Sequence, residues 1–339
     1  MLPVELRPKA QFREACTSPA RLLELLEADT RDASVSPAVP VRSLPLLLIS
    51  QLPRSGGSLL SQLLDAHPQV LVYPGEMKVG YPSKSNWPQL DPTESPELLY
   101  ATLYHWDLAA MASAGYLKLG AVLQAPPRTP FSYSAVTHAK QFLAALPRVR
   151  SARDVLDTYF TTLFASWQPE RLNEARCFAG FVPRMGRNQT SIQSFFGCYP
   201  DGRLVVLMRD PADWFVSVRE HRKGGQVRWA DLEAEIASWN KMADAVVRYC
   251  QDYGERCRLL SFARLVTERE RTMHEVCEWA GLVFDPILLQ QTFAGQPTVA
   301  NTNFSDPPEA LAAAVLARRD QLADSERQRI YALAGANLD

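Results

Sequence analysis

The sequence predicts an α/β fold: a parallel sheet flanked by helices, with a long helical insert. Three observations predict it. Five short apolar runs are bounded by turn residues, the pattern of strands buried on both faces. Helical periodicities fall between and after those runs, so strands and helices alternate along much of the chain. The 339 residues, 47% hydrophobic and 22% charged, can build a large core and exclude disorder as the main state.

Residues 1–43 read as an N-terminal arm with a short amphipathic helix from Pro19 to Ala28, and residues 44–339 as the main domain. Pro45 to Ser50 is the first strand. Ser58 to His67 has helical spacing, with Leu59, Leu60, Leu63 and Leu64 on one face and Pro68 as the stop. Here His67 finishes the helix. Val70 to Tyr73 is the second strand. Residues 80–176 are helical stretches punctuated by prolines, a helical insert or lid over the sheet. One stretch opens with a capping box at Ser151-Ala-Arg-Asp154, and its stripe of Val155, Tyr159, Phe160, Leu163 and Trp167 reads as core. Strands resume at Cys177–Val182, Arg203–Met208 and Cys257–Ser261. The longest helix spans about Trp229 to Tyr249, and two short helices close the chain.

A net charge of −1 and a pI of about 6.5 exclude a nucleic-acid binder that relies on bulk positive charge. No apolar run reaches the roughly 18 residues of a membrane span. The N-terminus has no apolar stretch after its first charges, so no secretory signal is expected and the setting reads as cytoplasmic. Cys16, Cys177, Cys198, Cys250, Cys257 and Cys277 show neither a C-x-x-C pair nor metal spacing. They are expected as reduced, mostly buried thiols, with no metal site. Asn188-Gln-Thr and Asn303-Phe-Ser match a glycosylation pattern that has no meaning without secretion. No pattern specifies an oligomer.

The chemistry centres on Gln51-Leu-Pro-Arg-Ser-Gly-Gly-Ser58, between a buried strand and a helix start. Free backbone N–H groups at a helix start bind anions, and Gly56 and Gly57 allow close approach. Compared with G-x-x-x-x-G-K-[ST], Gln51 replaces the first glycine and Gly57 the lysine, while the cation sits earlier, at Arg54. Alone, this loop equally fits a ligand-free turn. Arg203-Leu-Val-Val-Leu-Met-Arg-Asp-Pro-Ala-Asp-Trp-Phe-Val-Ser217 adds a second signal. It places Arg209 at a strand's carboxyl end and Ser217 eight residues later. Ligands of doubly wound sheets bind at that edge, where an Arg grips phosphate in bidentate fashion. Without the first loop, a salt bridge from Arg209 to Asp210 or Asp213 would be the ordinary expectation.

Together these segments resemble a known family. P-R-S-G-G-S-L-L-S-Q-L-L-D-A-H-P is similar to the 5′-phosphosulfate loop of sulfotransferases that use 3′-phosphoadenosine 5′-phosphosulfate (PAPS). R-L-V-V-L-M-R-D-P-x(5)-S resembles their 3′-phosphate motif. Leu260-Ser-Phe-Ala-Arg-Leu265 and Cys277-Glu-Trp-Ala-Gly-Leu-Val-Phe-Asp-Pro286 resemble, less closely, the Y-E-x-L segment and the helix ending in F-L-G. The matches cover most of 45–80, 177–224 and 257–304. The loop is closer to the tyrosylprotein and carbohydrate branches than to the cytosolic phenol sulfotransferases.

The resemblance implies a P-loop NTPase-like sulfotransferase fold and PAPS as donor co-substrate, without a metal. It implies that Arg54, Ser55, Gly56, Gly57 and Ser58 hold the 5′-phosphosulfate, with Arg54 also stabilising charge on the bridging oxygen. Arg209 and Ser217 take the 3′-phosphate, with His221 or Arg222 assisting, and Phe262 stacks on adenine. Gly75-Glu-Met-Lys is similar to the G-E-T-R segment of tyrosylprotein sulfotransferases, which makes Glu76 the base; desolvation strengthens such a carboxylate. His105 or His138 is the alternative base. Lys78 would help with substrate or sulfate or stand solvated, and Asn301 and Asn303 would either belong to a loop closing over the nucleotide or simply cap a loop. Phe181 falls where relatives carry a lysine that helps stabilise the transferring group, so that either Arg184 or Arg187 substitutes or the help is absent. The acceptor is expected to be a small-molecule hydroxyl compound in a pocket built by the insert. Trp87, Tyr104, Trp106 and Tyr133 suggest an apolar or ring-bearing shape. Two other readings stand beside this one: a phosphoryl-transferring nucleotide enzyme, which needs a lysine and Mg²⁺, and a non-catalytic nucleotide-binding module.

Overall fold

Five apolar runs pair side by side in the computed structural model, which describes residues 9–27, 39–116, 129–221, 231–298 and 317–335. The strands are Leu46–Gln51 (β1), Val70–Glu76 (β2), Cys177–Phe181 (β3), Arg203–Met208 (β4) and Cys257–Ser261 (β5). All pairs are parallel, in the order β2-β3-β1-β4-β5. β4 and β5 have the bounds the sequence predicts. β2 runs on to Glu76, through Pro74 and Gly75, with a register irregularity between Val72 and Glu76. Being an edge strand, it tolerates a proline that a central strand could not.

Side chains alternate between two apolar layers, as a pleated strand requires. Leu46 and Leu48 of β1, Phe178 of β3 and Leu204 and Val206 of β4 enter one layer; Leu47, Ile49, Ala179, Val205 and Leu207 enter the other. The described helices are, in chain order, Lys9–Ala15 (α1), Pro19–Glu27 (α2), Gly57–Leu64 (α3), Pro96–Leu103 (α4), Asp107–Ala114 (α5), Ala135–Ala145 (α6) and Ala152–Ala165 (α7). They continue with Gln189–Cys198 (α8), Pro211–His221 (α9), Leu232–Tyr253 (α10), Phe262–Thr267 (α11) and Arg269–Ala280 (α12), and a C-terminal helix spans Asp324–Leu333. α10 runs to Gly254, whose positive φ of 54° ends it.

The insert is an aromatic-rich layer of the core. Its capping box forms at Ser151 and Asp154, and Val155, Tyr159, Phe160 and Leu163 are buried. Trp87, Tyr104, Trp106 and Tyr133 are also buried, within the same apolar layer. The N-terminal segment joins it through Phe12, Leu22 and Leu26. Four of the six cysteines are buried. Among the described residues, no helix is long and apolar enough to cross a membrane.

Candidate active site

The strand order sets the site. Along the carboxyl edge it places, in sequence, Glu76 of β2, Phe181 of β3, the loop after β1, Arg209 after β4, and Phe262 after β5. Residues far apart in the chain thus line one edge, the position where parallel sheets bind ligands.

The loop after β1 is tightly wound. Leu52 N–H continues the ladder to the Leu207 carbonyl at 3.2 Å, and Ser55 N–H closes a turn on the Leu52 carbonyl at 3.1 Å. Arg54 and Gly56 both take positive φ, 75° and 91°. For Arg54 that conformation is strained, by roughly 1 kcal/mol or more, and such strain gathers at functional sites. Gly56 has a second reason to be glycine, because a Cβ there would overlap the Phe262 ring. At Gly57 a Cβ would overlap the Phe181 ring. A lysine at position 57 therefore has no room, which removes the side chain a phosphoryl-transfer reading needs.

Phe262 links the two sequence motifs. Its ring lies against Gly56, and the Arg209 guanidinium lies over it at 4.0 Å from the centroid. One face of the ring expected to meet adenine is thus occupied by Arg209. The Arg209 backbone is fixed by the Trp239 indole, whose N–H donates to the Arg209 carbonyl at 3.0 Å. Asp210 caps α9, its Oδ1 accepting from the Ala212 and Asp213 N–H groups. The Trp214 indole of that helix donates to the Pro53 carbonyl at 2.8 Å, tying α9 to the loop. Ser217 lies on the same helix, 1% exposed.

Arg209 makes no salt bridge to either neighbouring aspartate. Asp213 is held by Arg319 at 2.8 Å, and Asp210 accepts from the Tyr331 hydroxyl at 3.0 Å. Although Arg209 is only 6% exposed, its Nε and Nη1 find no hydrogen-bond partner among the described residues; nor do Arg54 Nε and the Ser55 hydroxyl. Burial, with Arg318 and Arg54 close by, pulls the Arg209 pKa down to about 9, and Asp213 only partly offsets this. Burial and Arg318 likewise lower that of Arg54. Each unmet buried donor costs about 1–3 kcal/mol, and more when charged. Such a cluster on one loop and one strand end has the donors and charge that could hold an anion.

Arg318 is the residue that sequence reasoning missed. It is 4% exposed in a short 3₁₀ turn, Arg318–Gln321, and its field reaches both Arg54 and Arg209. The Arg319–Asp213 bridge holds that turn against α9. Ala-Arg-Arg-Asp in a helical tail offers no motif that could have identified it.

On the β2 side, Glu76 pairs in register with Phe181 and is half-buried. Beside it a small cleft opens from Ser58, lined by Gln62, Asp65, Gly75, Tyr116 and Phe293 among others. Tyr116 and Phe293 stack at 3.7 Å and form one wall. Burial, with Glu76 and Asp65 nearby, pushes the Tyr116 hydroxyl up to about 12. Asp65 is raised by burial, against the Gly295 N–H bond that lowers it. Gln62 Oε1 is buried without a partner among the described residues. Tyr116 is the insert's contribution to this cleft.

The alternative residues lie elsewhere or are engaged. His138 is buried, bonded to the Tyr100 and Tyr133 hydroxyls and the Tyr159 carbonyl, and burial drives its pKa to about 3. It is a core histidine. Lys78 is ion-paired with Asp107, which also pairs with His105 at 3.3 Å. Burial alone would raise the Asp107 carboxyl, but hydrogen bonds from His105 and Lys78 hold it well below its ordinary range. His67 ends the α3 turn, bonded to the Val283 carbonyl at 2.8 Å. Arg187 donates to Ser238, and both it and Arg184 are exposed. The His221 side chain, Arg222, Asn301 and Asn303 lie outside the described residues.

No curated protein matches the chain by sequence. Solved structures that share its fold include two sulfotransferase domains. The sulfotransferase domain from the curacin biosynthetic pathway has 18% identity and a TM-score of 0.50, covering 89% of this chain and 100% of its own. The sulfotransferase domain from the Synechococcus PCC 7002 olefin synthase has 16% identity and a TM-score of 0.52, covering 88% and 98%. The profile of the sulfotransferase family matches residues 45–286, a span that begins just before the loop after β1 and takes in Glu76, Arg209 and Phe262. With the fold, the two motifs and that match in agreement, the chain belongs to the sulfotransferase family.

Proposed function

We propose that the chain transfers a sulfuryl group from PAPS to the hydroxyl of a small-molecule acceptor in the cytoplasm, giving a sulfate ester and 3′-phosphoadenosine 5′-phosphate (PAP). The observation that carries this reading is the set of buried donors on Arg54, Ser55 and Arg209, at one sheet edge, that find no partner among the described residues. They fit a ligand with two separated anionic groups. The donor supplies an activated sulfuryl group on a phosphosulfate; the protein supplies position and charge. Ser55, Gly56, Gly57 and Ser58 would hold the 5′ end, Arg209 and Ser217 the 3′-phosphate, and Phe262 would flank the adenine.

Arg54 would neutralise charge on the phosphate oxygen as its bond to sulfur breaks. The acceptor would present its hydroxyl at the small cleft beside Ser58 and Gly75, the oxygen forming the new bond to sulfur while the adjacent Glu76 takes its proton. Two measurements test the reading. PAP should raise the melting temperature without added metal, and a metabolite extract incubated with enzyme and PAPS should yield a product heavier by one sulfuryl group. Glu76→Gln should lower kcat by about 10²–10⁴ and leave PAP affinity unchanged. Stabilisation by ATP–Mg²⁺ and not by PAP would reverse the assignment.

A further inference from the structure

One contact of the donor loop is made by Gln51. The Gly57 N–H donates to Oε1 of Gln51 at 2.6 Å, in a buried position. Gly57 is the first residue of α3, so its N–H is among those that no carbonyl of the helix can accept. Such groups, with the helix dipole behind them, are what an anion binds at a helix start. The carboxamide oxygen of Gln51 therefore stands where an anionic oxygen of the donor would stand. In the phosphate-loop pattern that position belongs to a glycine, with no side chain to reach back across the loop. The neighbouring side-chain donors, Ser55 Oγ and Arg54 Nε, find no partner among the described residues, so the loop holds unmet donors beside an amide that is already plugged.

We infer that Gln51 is an internal stopper of the donor loop: a positioning residue whose carboxamide holds the Gly57 amide and is displaced when the donor's 5′ group arrives. The inference rests on the donor reading above. Gln51 caps the helix in the free protein and competes with the donor in the complex. Removing it should thus move stability and affinity in opposite directions. Were it only a structural cap, both would fall together, because a looser loop binds less well.

The test is calorimetric titration of the full chain with PAP, alongside melting curves of the free protein. Gln51→Ala and Gln51→Gly should bind PAP about tenfold tighter, the worth of one competing hydrogen bond, while melting lower without ligand. Gln51→Glu should bind PAP at least tenfold more weakly, since its carboxylate both holds the amide more strongly and repels the anion. Equal or weaker binding by Gln51→Ala and Gln51→Gly overturns the stopper while leaving the donor assignment intact. No binding by the wild-type chain overturns both.

Discussion

Replacing Arg209 with methionine should make the free protein more stable and abolish its response to PAP. A fall in the Arg209 pKa to about 9 corresponds to roughly 5 kcal/mol against the charged form at neutral pH. The variant forfeits the stack on Phe262, worth about 1–2 kcal/mol when buried. Methionine follows the same path through the core without needing a hydrogen-bond partner. Exchange of buried charge for apolar volume often stabilises by about 1–4 kcal/mol, so the net expectation is near 3 kcal/mol. For a domain of this size that is about 4 °C in Tm. Differential scanning calorimetry of wild type and R209M, each with and without PAP, reads both effects. Wild type should rise with PAP; R209M should start higher and not move. If R209M melts several degrees lower and still responds to PAP, Arg209 is a structural cation and the anion-seat argument is wrong.

Other consequences follow from the same geometry. Arg54→Ala should lower kcat by about 10²–10³, the usual worth of a donor aimed at developing charge, with a smaller loss of PAP affinity; an unchanged kcat would remove Arg54 from the chemistry. Gly56→Ala should cost about 2–4 kcal/mol in chemical denaturation, because Gly56 has a φ of 91° and its Cβ would meet the Phe262 ring; a neutral result would mean the ring yields freely. His138 imposes a pH dependence on stability. Its pKa is near 3 when folded and ordinary when unfolded, so between about 6.5 and 3 the unfolded chain binds a proton that the fold refuses. Stability should fall as pH drops through that window, by about 1.4 kcal/mol per unit from this group. Urea midpoints for wild type and His138→Gln between pH 7 and 4.5 should show the shallower slope in the variant; parallel slopes would contradict the burial.

Much of the site could be read from the chain because its parts are local. Arg203–Met208 and Cys257–Ser261 are strands buried on both faces, and such runs carry their own boundaries. The loop from Gln51 to Ser58 and the eight-residue step from Arg209 to Ser217 each lie within one strand–turn–helix unit, where spacing fixes placement. The arrival of both at one edge also follows from parallel order, since every strand presents its carboxyl end to the same side.

What the sequence could not determine depends on contacts between distant segments. Arg318 reaches Arg54 and Arg209 only because Arg319 docks on Asp213, more than one hundred residues away in the chain. Phe262 packs on Gly56 because β5 lies next to β4, and crossover packing decides that neighbour. Trp87, Tyr104, Trp106 and Tyr133 resemble pocket residues in composition; all four are buried in the apolar layer, and Trp87 also lines a pocket against α8, for an aromatic ring buries equally well in either setting. The sequence alone determined the apolar periodicity and the backbone freedom that build strands, turns and a glycine loop. The tertiary structure alone decided which cations share one desolvated space, because that depends on how the crossovers pack rather than on any spacing within them.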